Sequence, residues 1–295
     1  MTSVTSSKCC PAIKFKNGTP KPHTLEFIKE EPLLIRIDEK PYSVVMRTPG
    51  EELFHGAGFC LGEGIADSPE DIMTIGHCND MDPNVIDIRL APRRREKIRD
   101  ILDRKIFVSQ TSCGICGKEM VKDLHQILTP VKNGVTVSPD SLFGCIDELY
   151  KHQKYYPTTR GTHAAMLFGH DLKPISFSED VGRHNALDKA IGNAFMNRKL
   201  GAANLVALSS RISYELVQKA ARANLPIIIS KSRPTALAID MGRALNMTLA
   251  FCLKKSELIV VCGSDRIKGS LKKSQDQLTR PPKTGIFGKE PITGG

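Results

Sequence analysis

The chain has 295 residues, 40% of them hydrophobic and none of them Trp, a composition typical of a soluble globular protein with room for two subdomains. With 42 Lys and Arg against 32 Asp and Glu, its net charge is +10, which favours anionic partners. A nucleic-acid-binding role is disfavoured, because only 5% of the residues are aromatic and no complete zinc-finger ligand set occurs. No apolar run is long enough to span a membrane, and the first residues lack the apolar core of a secretory signal. The nine cysteines are mostly scattered, which suits a reducing compartment better than a disulfide framework. We therefore expect a cytoplasmic protein without membrane attachment.

Polar residues dominate positions 1–30, which predicts an irregular N-terminal arm. Region 31–134 is predicted to form a small α+β unit that ends in a cysteine loop and a helix. Two short strands, about 33–37 and 42–47, flank the turn sequence DEKP, and a helix is expected from PGEE onward, because Pro and Glu suit a first helical turn. NVIDIRLA alternates apolar and polar residues like a half-buried strand, and EKIRDILDR has the character of a helix.

The segment SQTSCGICGKE, residues 109–119, contains Cys113 and Cys116 among glycines. KIFVSQTS before the pair is predicted as a strand, and KEMVKDLHQIL after it carries apolar residues at helical spacing. The pair is therefore expected at a strand-to-helix turn. There the N–H groups of the helix N-terminus and the ammonium group of Lys118 would lower the pKa of a thiol.

The second half alternates predicted strands and helices. HNALDKAIGNAFMNRK, SYELVQKAARAN and TALAIDMGRALN have the pattern of helices, and NLVALSS, LPIIIS and MTLAFCL that of buried strands. This alternation predicts an α/β domain over 135–262, with a largely parallel sheet covered on both faces. Residues 263–295 are polar and rich in Pro and Gly, which predicts a disordered tail.

Three chemistries are open to the cysteine pair from its residues alone. Structural zinc needs two more ligands, and no second C-x-x-C exists. The candidates that would have to fold back are His55, Cys60, His77 and Cys78. Thiol–disulfide exchange suits a C-x-x-C before a helix, but the Trp and Pro usual at a thioredoxin-like site are missing. Sulfur carriage as a persulfide needs the same activated thiolate, and Gly114 and Gly117 leave space for a partner's sulfur atom.

Several longer stretches follow one another in order across about residues 28–262. They are EPLLIRIDEKPYSVVMRTPGEELFHGAGFCLGEGI, TSCGICGK, TRGTHAAMLF, EDVGRHNALDKAIG and ARANLPIIISKSRPTALAIDMGRALNMTLAFC. In these stretches the chain resembles the formate dehydrogenase accessory sulfurtransferases, the FdhD family, and VGRHNALDK is the most specific of the matches.

The resemblance implies a sulfurtransferase that formate dehydrogenase needs for its activity. In that family a loop cysteine receives persulfide sulfur from a cysteine desulfurase and passes it to the molybdenum of Mo-bis(molybdopterin guanine dinucleotide), which guanine nucleotides mimic. The intermediate falls on Cys113, and Cys116 takes the second position, where it assists or resolves the persulfide. The resemblance further implies a cytoplasmic homodimer whose partners are the desulfurase and the catalytic subunit of formate dehydrogenase. The implied fold is α/β, a three-layer cytidine deaminase-like sheet domain beside a smaller N-terminal α+β subdomain.

That fold raises the alternative of a zinc deaminase, which the sequence argues against. Deaminases use H-x-E, with the Glu as proton shuttle, followed downstream by P-C-x-x-C. Here His163 is followed by Ala165 at the position of that Glu, and the C-x-x-C precedes the histidine. Deamination would lack its proton-transfer group.

The family's cofactor segment is the loop after the strand that ends in LAFC. It corresponds to Phe251, Cys252, Leu253, Lys254, Lys255 and Ser256. Ligands of doubly wound sheets bind at the carboxyl ends of strands, and two adjacent lysines can hold phosphate. Family members often have Gly and Arg in this loop, whereas this chain has LKKSEL, so the detailed contacts differ. A solvated hairpin turn is the alternative.

Arg183 and His184 stand at the predicted start of a helix, where free N–H groups favour an anion. We expect both to contact the cofactor, with Asp180 or Asn185 as a simple cap in the competing interpretation. Polar residues that follow two other strands are expected in the same crevice, with an ordinary polar loop as the alternative for either set. They are Ser209, Ser210, Arg211, Ser230, Lys231 and Arg233.

Two other functions stay open beside sulfur transfer. A cofactor-binding chaperone would hand over the nucleotide without covalent chemistry, and a regulator would hold zinc at the cysteine pair.

Overall fold

The computed structural model describes residues 6–77, 82–99, 128–131, 134–254 and 257–269. The cysteine turn with Cys113 and Cys116, the strand and helix predicted around it, and the tail from residue 270 lie outside the described residues. No helix in the described ranges is long and apolar enough to cross a membrane.

The N-terminal residues form a β-hairpin, so the predicted irregular arm is wrong for this segment. β1 (Ser7–Lys16) pairs antiparallel with β2 (Thr19–Ile28). Asn17 and Gly18 make the turn with φ values of 52° and 77°, and positive φ at both residues is the geometry of a two-residue type I′ turn. Most hairpin side chains are exposed, which is why the composition of the strands is so polar.

A four-stranded sheet follows. β3 (Glu31–Ile37) and β4 (Lys40–Arg47) form the predicted antiparallel pair, and with β5 (Ile72–His77) and β6 (Val85–Leu90) they stand in the order β4-β3-β6-β5. The predicted alternation in β6 is confirmed, because Ile86, Ile88 and Leu90 are all buried. α1 (Glu52–Gly62) begins where PGEE predicts. α2 (Pro92–Lys97) begins before EKIRDILDR, since Pro92 supplies the fixed φ of a first helical turn.

The second half confirms the alternation of strands and helices. Its strands are β7 (His163–Gly169), β8 (Pro174–Asp180), β9 (Ala203–Leu208), β10 (Ile227–Ser230), β11 (Thr248–Lys254) and β12 (Glu257–Cys262). Its helices are α3 (Pro139–His152), α4 (Tyr156–Thr159), α5 (Arg183–Met196), α6 (Tyr214–Arg222) and α7 (Ala236–Ala244).

These six strands form one sheet in the order β12-β11-β10-β9-β7-β8. The expectation of a largely parallel sheet is wrong, because β9–β10 and β10–β11 are parallel pairs, whereas β7–β8, β7–β9 and β11–β12 are antiparallel pairs. β7–β8 and β11–β12 are connected as hairpins, and directly joined neighbours pair antiparallel. The fold is thus mixed α/β.

Both faces of the six-stranded sheet are buried. Alternate residues such as Met166 and Phe168 face α3 and pack with its Leu142 and Leu149. The intervening residues, among them Leu167, join a core shared with α5, α6 and α7, and through α1 this core continues to the inner face of the four-stranded sheet. The layers are therefore a helix, a sheet, a layer of helices and a second sheet.

Helices α1 and α5 cross at two glycines. A Cβ added to Gly58 would lie 1.8 Å from the carbonyl oxygen of Asp188, and one added to Gly192 would lie 1.8 Å from that of Phe54. Both obstacles are backbone atoms, which cannot rotate away as a side chain can. The absence of a side chain at both positions lets the two helices touch backbone to backbone.

The prediction of a disordered tail is wrong for residues 263–269. Ser264–Arg266 form a 3₁₀ helix, and Ile267 makes a parallel bridge with Val137. The Arg266 guanidinium is buried, and its Nη2 donates a hydrogen bond of 2.7 Å to the carbonyl oxygen of Asn246. Because a buried guanidinium needs such acceptors, residues 263–269 are part of the folded domain.

Candidate functional site

The carboxyl ends of the parallel strands lie side by side at one edge of the six-stranded sheet. Leu208 of β9 is level with Ser230 of β10, which is level with Phe251 of β11. His163, at the start of the antiparallel β7, reaches the same edge, since its neighbour Ala164 donates a backbone hydrogen bond of 2.8 Å to Ser209 Oγ. Three spacings of about 4.8 Å separate β7 from β11, so this edge is roughly 14 Å wide.

Most polar residues of the VGRHNALDK stretch have internal partners. The Lys189 ammonium lies 2.7 Å from Asp180 Oδ2 and donates to the carbonyl oxygen of Thr48 at 2.8 Å. Asn185 Nδ2 donates to Asp180 Oδ1 at 2.9 Å and to the carbonyl oxygen of Met46 at 2.7 Å. These contacts fasten the start of α5 to β4 and to the segment after it.

Arg183 and His184 differ from their neighbours in the motif, because their side chains are not used to hold the core. α5 begins at Arg183 after Gly182, and no side chain of the described residues caps its N-terminus. Arg183 Nε is buried and has no hydrogen-bond partner within the described part of the chain. His184 Nε2 lies 2.7 Å from Glu215 Oε2 and 3.3 Å from Ser213 Oγ at the start of α6.

His163 lies in a positively charged neighbourhood. Burial lowers its pKa first, and the charges of Arg183, His184 and Arg211 lower it further, against the opposing effect of Asp180. His163 thus lies close to the guanidinium groups of Arg183 and Arg211, and positive charge of this kind favours an anion. Sequence reasoning considered His163 only as a deaminase ligand; the pairing of β7 with β8 and β9 is what brings it here.

The predicted cofactor segment begins inside a strand. Phe251 and Cys252 belong to β11 and are buried, whereas Leu253 and Lys254 are exposed at its end. The expectation of a loop is thus wrong for 251–254, because β11 continues into pairing with β12, where Lys254 is level with Glu257. Lys255 and Ser256 lie outside the described residues, and a cofactor role for this segment stays a prediction.

Lys231 and Tyr150 stand beside this strand end. The Lys231 ammonium lies 4.6 Å from the centre of the Tyr150 ring, a cation–π distance. Ser230 Oγ, just before it, bonds the carbonyl oxygen of Ser210. Of the residues expected in the crevice, those that follow β9 and β10 are therefore brought to the same sheet edge as Arg183. The sequence around Tyr150, on α3, indicates a helix but does not indicate that this residue lies near the candidate site.

The cysteines within the described ranges are poor nucleophiles where they are buried. Burial raises the pKa of the Cys145 thiol to about 12 and that of Cys252 to about 11, the latter against the effect of Lys231. Cys9 is exposed on the hairpin, and Cys10 is partly so. Cys113 and Cys116 fall outside the described residues, so their surroundings stay a prediction.

His55 and Cys60, considered as zinc ligands, are both fully buried on α1. Within the described ranges, no three His, Cys, Asp or Glu side chains converge as a metal site would require. Cys78 lies outside those ranges, as does the cysteine pair.

Comparison with known proteins places the chain in a family. Residues 28–268 match the model of the FdhD/NarQ family. The chain is 36% identical to the sulfur carrier protein FdhD of Mycobacterium tuberculosis over 259 residues, which are 84% of this chain and 92% of that protein. It is 37% identical to the protein of the same name from Streptomyces coelicolor over 268 residues, 86% and 93% of the two chains.

A solved structure is similar in fold. The crystal structure of a protein assigned as a formate dehydrogenase accessory protein of Desulfotalea psychrophila matches with a TM-score of 0.72 at 21% identity, over 89% of this chain and all of that one. Since the family model covers most of the sequence and the curated relatives match over nearly their whole length, this chain belongs to the FdhD/NarQ family.

Proposed function

We propose that this protein carries sulfur as a persulfide on Cys113 and delivers it to Mo-bis(molybdopterin guanine dinucleotide) for formate dehydrogenase. The observation that carries the proposal is the family match over residues 28–268, together with curated relatives that are named sulfur carrier proteins. The name of the structural neighbour supports the link to formate dehydrogenase.

The residues at the sheet edge fit the phosphate groups of such a ligand. Arg183 offers a guanidinium whose Nε has no internal partner, at the N-terminus of a 14-residue helix. Guanidinium groups and helix N-termini are both strong phosphate donors. Arg211 and Lys231 add positive charge along the same edge. We assign the pyrophosphate of the ligand to this edge, with Arg183 and His184 as its principal contacts.

The chemistry of the cysteine pair can be written in two balanced steps. The Cys113 thiolate attacks the outer sulfur of the desulfurase persulfide, and the desulfurase cysteine leaves as a thiolate. The Cys116 thiolate can then attack the inner sulfur of the Cys113 persulfide, which releases hydrosulfide and leaves a Cys113–Cys116 disulfide. In this step the pair supplies the two electrons that reduce the carried sulfur, and a thiol reductant restores it. The bound cofactor receives the sulfur.

Mass analysis of the loaded protein tests the first step. After incubation with a cysteine desulfurase and cysteine, the wild-type protein should gain one sulfur atom on the peptide that contains Cys113. Cys113→Ser should lose that gain, and Cys116→Ser should keep it for longer, because the resolving thiol is gone. Cys9→Ser with Cys10→Ser is the matched control, since these accessible thiols lie on the hairpin. Unchanged loading of the Cys113→Ser variant on its loop peptide would refute the assignment.

A cofactor-binding chaperone predicts a different pattern. Formate dehydrogenase would then mature normally with Cys113→Ser or Cys116→Ser, and Arg183→Gln would be the damaging change. Persulfide chemistry predicts that Cys113→Ser abolishes maturation while leaving nucleotide binding intact. Stoichiometric zinc in the purified protein would instead support the regulator.

A further inference from the structure

The N-terminal hairpin of β1 and β2 is held at its base and exposed at its tip. At the base, Ser6 Oγ donates to the carbonyl oxygen of Pro49 at 3.0 Å and accepts from the Tyr155 hydroxyl at 3.1 Å. From residue 13 to residue 25, by contrast, every residue is exposed. The family match begins at residue 28, so the function that the family shares does not account for the hairpin.

The pairing of β1 with β2 gives the tip one apolar face. Residues directly opposite each other in an antiparallel pair point to the same side. Phe15 is opposite Pro20. Ile13 is opposite Pro22, and Pro11 lies on the same side one pair further from the turn. All five are exposed, Ile13 by 67% and Phe15 by 69%, so two large side chains and three prolines form a continuous apolar surface in water.

The opposite face of the tip is basic. Lys14 is opposite Lys21, and Lys16 lies on the same side next to the turn. Within residues 7–28, Glu26 is the only acidic residue, against four lysines. The tip is thus both amphipathic and positively charged, which favours a partner with an apolar layer and an anionic surface.

Two prolines restrict how a partner can bind the hairpin. Lys16 and Thr19 flank the two-residue turn and form a hydrogen-bonded pair, and hydrogen-bonded and non-hydrogen-bonded pairs alternate from there. Pro20 and Pro22 therefore stand where an N–H would point away from β1, toward a further strand. Proline has no N–H, so this edge of β2 cannot pair regularly with another strand. A partner must bind through the faces of the hairpin.

The chemistry of the apolar face favours a lipid surface over a protein. Protein interfaces contain about one hydrogen bond per 100–200 Å², and they are enriched in Arg and depleted in Lys. Around the tip the apolar face offers a single side-chain hydrogen-bonding group, the Thr24 hydroxyl, and the four cations of the hairpin are all Lys. A second copy of the chain is a poor occupant, because stable dimers bury about 800 Å² per partner and this face has only two large apolar side chains.

We propose that the hairpin tip is a peripheral binding site for anionic lipid bilayers. Ile13 and Phe15 enter the boundary between head groups and acyl chains, and Lys14, Lys16 and Lys21 lie near the lipid phosphates. A hairpin is one strand layer thick, so ammonium groups on its other face stay within a Debye length of about 10 Å of those phosphates.

Such binding needs no membrane-spanning helix, and none occurs in the described ranges. The sequence-based expectation of a protein without membrane attachment used the length of apolar runs, which does not detect an exposed apolar face on a hairpin. The inference goes beyond sulfur carriage and does not depend on it.

The fluorescence of a Phe15→Trp variant tests insertion, because the chain has no Trp of its own. With vesicles of phosphatidylglycerol and phosphatidylcholine in equal parts, the emission should shift to shorter wavelengths as the ring leaves water. With vesicles of phosphatidylcholine alone, or in about 1 M salt, where the Debye length is about 3 Å, the shift should be largely lost. An emission spectrum that anionic vesicles leave unchanged would overturn the inference.

Co-sedimentation of variants with the same vesicles connects binding to charge at the tip. Replacing Lys14, Lys16 and Lys21 together by Gln should weaken binding by about 100-fold, since each lysine near an anionic surface contributes roughly a factor of five. The matched control replaces three exposed lysines elsewhere by Gln, so that the net charge falls equally, and should bind like the wild type. These three are Lys97, Lys151 and Lys173.

A second pair of variants tests the apolar face. Ile13→Ser with Phe15→Ser should weaken vesicle binding at least about tenfold, because the apolar area that leaves water is lost. Val44→Ser is the control, since Val44 is 63% exposed on β4, outside the hairpin. All of these side chains are exposed, so the variants should fold like the wild type, which urea unfolding checks.

Vesicle binding that the hairpin variants leave unchanged would refute the site. If vesicles do not bind and the same variants instead lose affinity for a purified cysteine desulfurase, the face belongs to a protein partner and the lipid proposal is wrong. Persulfide loading of Cys113 is measured separately, and the hairpin variants should load like the wild type. Failure of vesicle binding therefore leaves the sulfur-carrier proposal standing, and absence of loading would refute only the latter.

Discussion

Gly192→Ala tests whether the contact between α1 and α5 depends on the absence of a side chain. In an open helix, replacing Gly by Ala stabilises by about 0.5–1 kcal/mol, because the unfolded chain loses freedom. At Gly192 the new methyl group would lie 1.8 Å from the carbonyl oxygen of Phe54 and 2.7 Å from the amide nitrogen of Gly58. The two helices must separate, and overpacking of this kind costs typically ~1–3 kcal/mol or more. We therefore expect a net loss of stability despite the higher helix propensity of alanine.

Gly144→Ala is the matched control, because Gly144 is also inside a helix and a Cβ there would meet nothing within 4 Å. Urea unfolding of both variants should separate them by about 1–3 kcal/mol or more in the free energy of unfolding, because the gain in helix propensity is common to both and only Gly192→Ala has the overpacking cost. If Gly192→Ala is as stable as Gly144→Ala, the packing of α1 against α5 does not require the absence of a side chain at position 192.

Three further outcomes follow from buried or orphaned charges. Lys189→Met should lower the free energy of unfolding by about 3–5 kcal/mol, because it leaves the buried Asp180 carboxylate without its cation. Lys173→Met, which removes the exposed ion pair with Asp171, is the control and should change the free energy of unfolding by less than about 1 kcal/mol. His55 is fully buried, and burial together with nearby Lys189 and Lys219 holds its pKa well below 6.5. The unfolded chain therefore binds a proton that the native state does not, and the free energy of unfolding should fall as the pH drops below about 6.5. His55→Leu should flatten this dependence of the free energy of unfolding on pH, and an unchanged dependence would exclude His55 as its source. Arg183→Gln should weaken GDP binding in calorimetry by ~10- to 100-fold through the loss of a charge-assisted hydrogen bond, with Arg198→Gln, whose partner is the exposed Glu70, as the control; equal affinities would remove Arg183 from the site.

The secondary structure of this chain could be predicted where the spacing of apolar residues was clear. Strands β3, β4 and β6 follow from their alternation, and α5 to α7 follow from helical spacing between buried strands. The N-terminal hairpin was missed because polar composition outweighed the Asn17–Gly18 turn signal. The sequence predicts too many parallel strand pairs in the six-stranded sheet. The spacing of strands along the chain does not reveal which neighbouring strands are joined as antiparallel hairpins.

The candidate site could be predicted only in part. A position at the start of a helix predicts Arg183 and His184 as anion ligands, and this role stays a prediction. The structure places both residues near the expected strand ends. Burial of Asp188 and Lys189 could not be foreseen, because adjacent charged residues on a helix are ordinarily solvated. Their partners, Lys219 on α6 and Asp180 on β8, come from distant parts of the sequence, so only the fold shows that these charges are paired.

This pairing connects the packing of the molecule to its proposed chemistry. Asp180, Asn185 and Lys189 hold the first turns of α5 against β4, and Gly192 sets how closely the same helix approaches α1. Arg183 is nine residues before Gly192, about 13.5 Å along the helix at 1.5 Å per residue, and a helix of this length moves nearly as a rigid body. A displacement forced at Gly192 is therefore carried to Arg183, and a misplacement of about 1 Å is enough to weaken a positioned contact severely. The Gly192→Ala protein should accordingly lose affinity for GDP at a temperature where it is still folded, whereas Gly144→Ala, on the opposite face of the sheet, should keep it. Full affinity in the folded Gly192→Ala protein would show that the helix crossing and the anion site are independent.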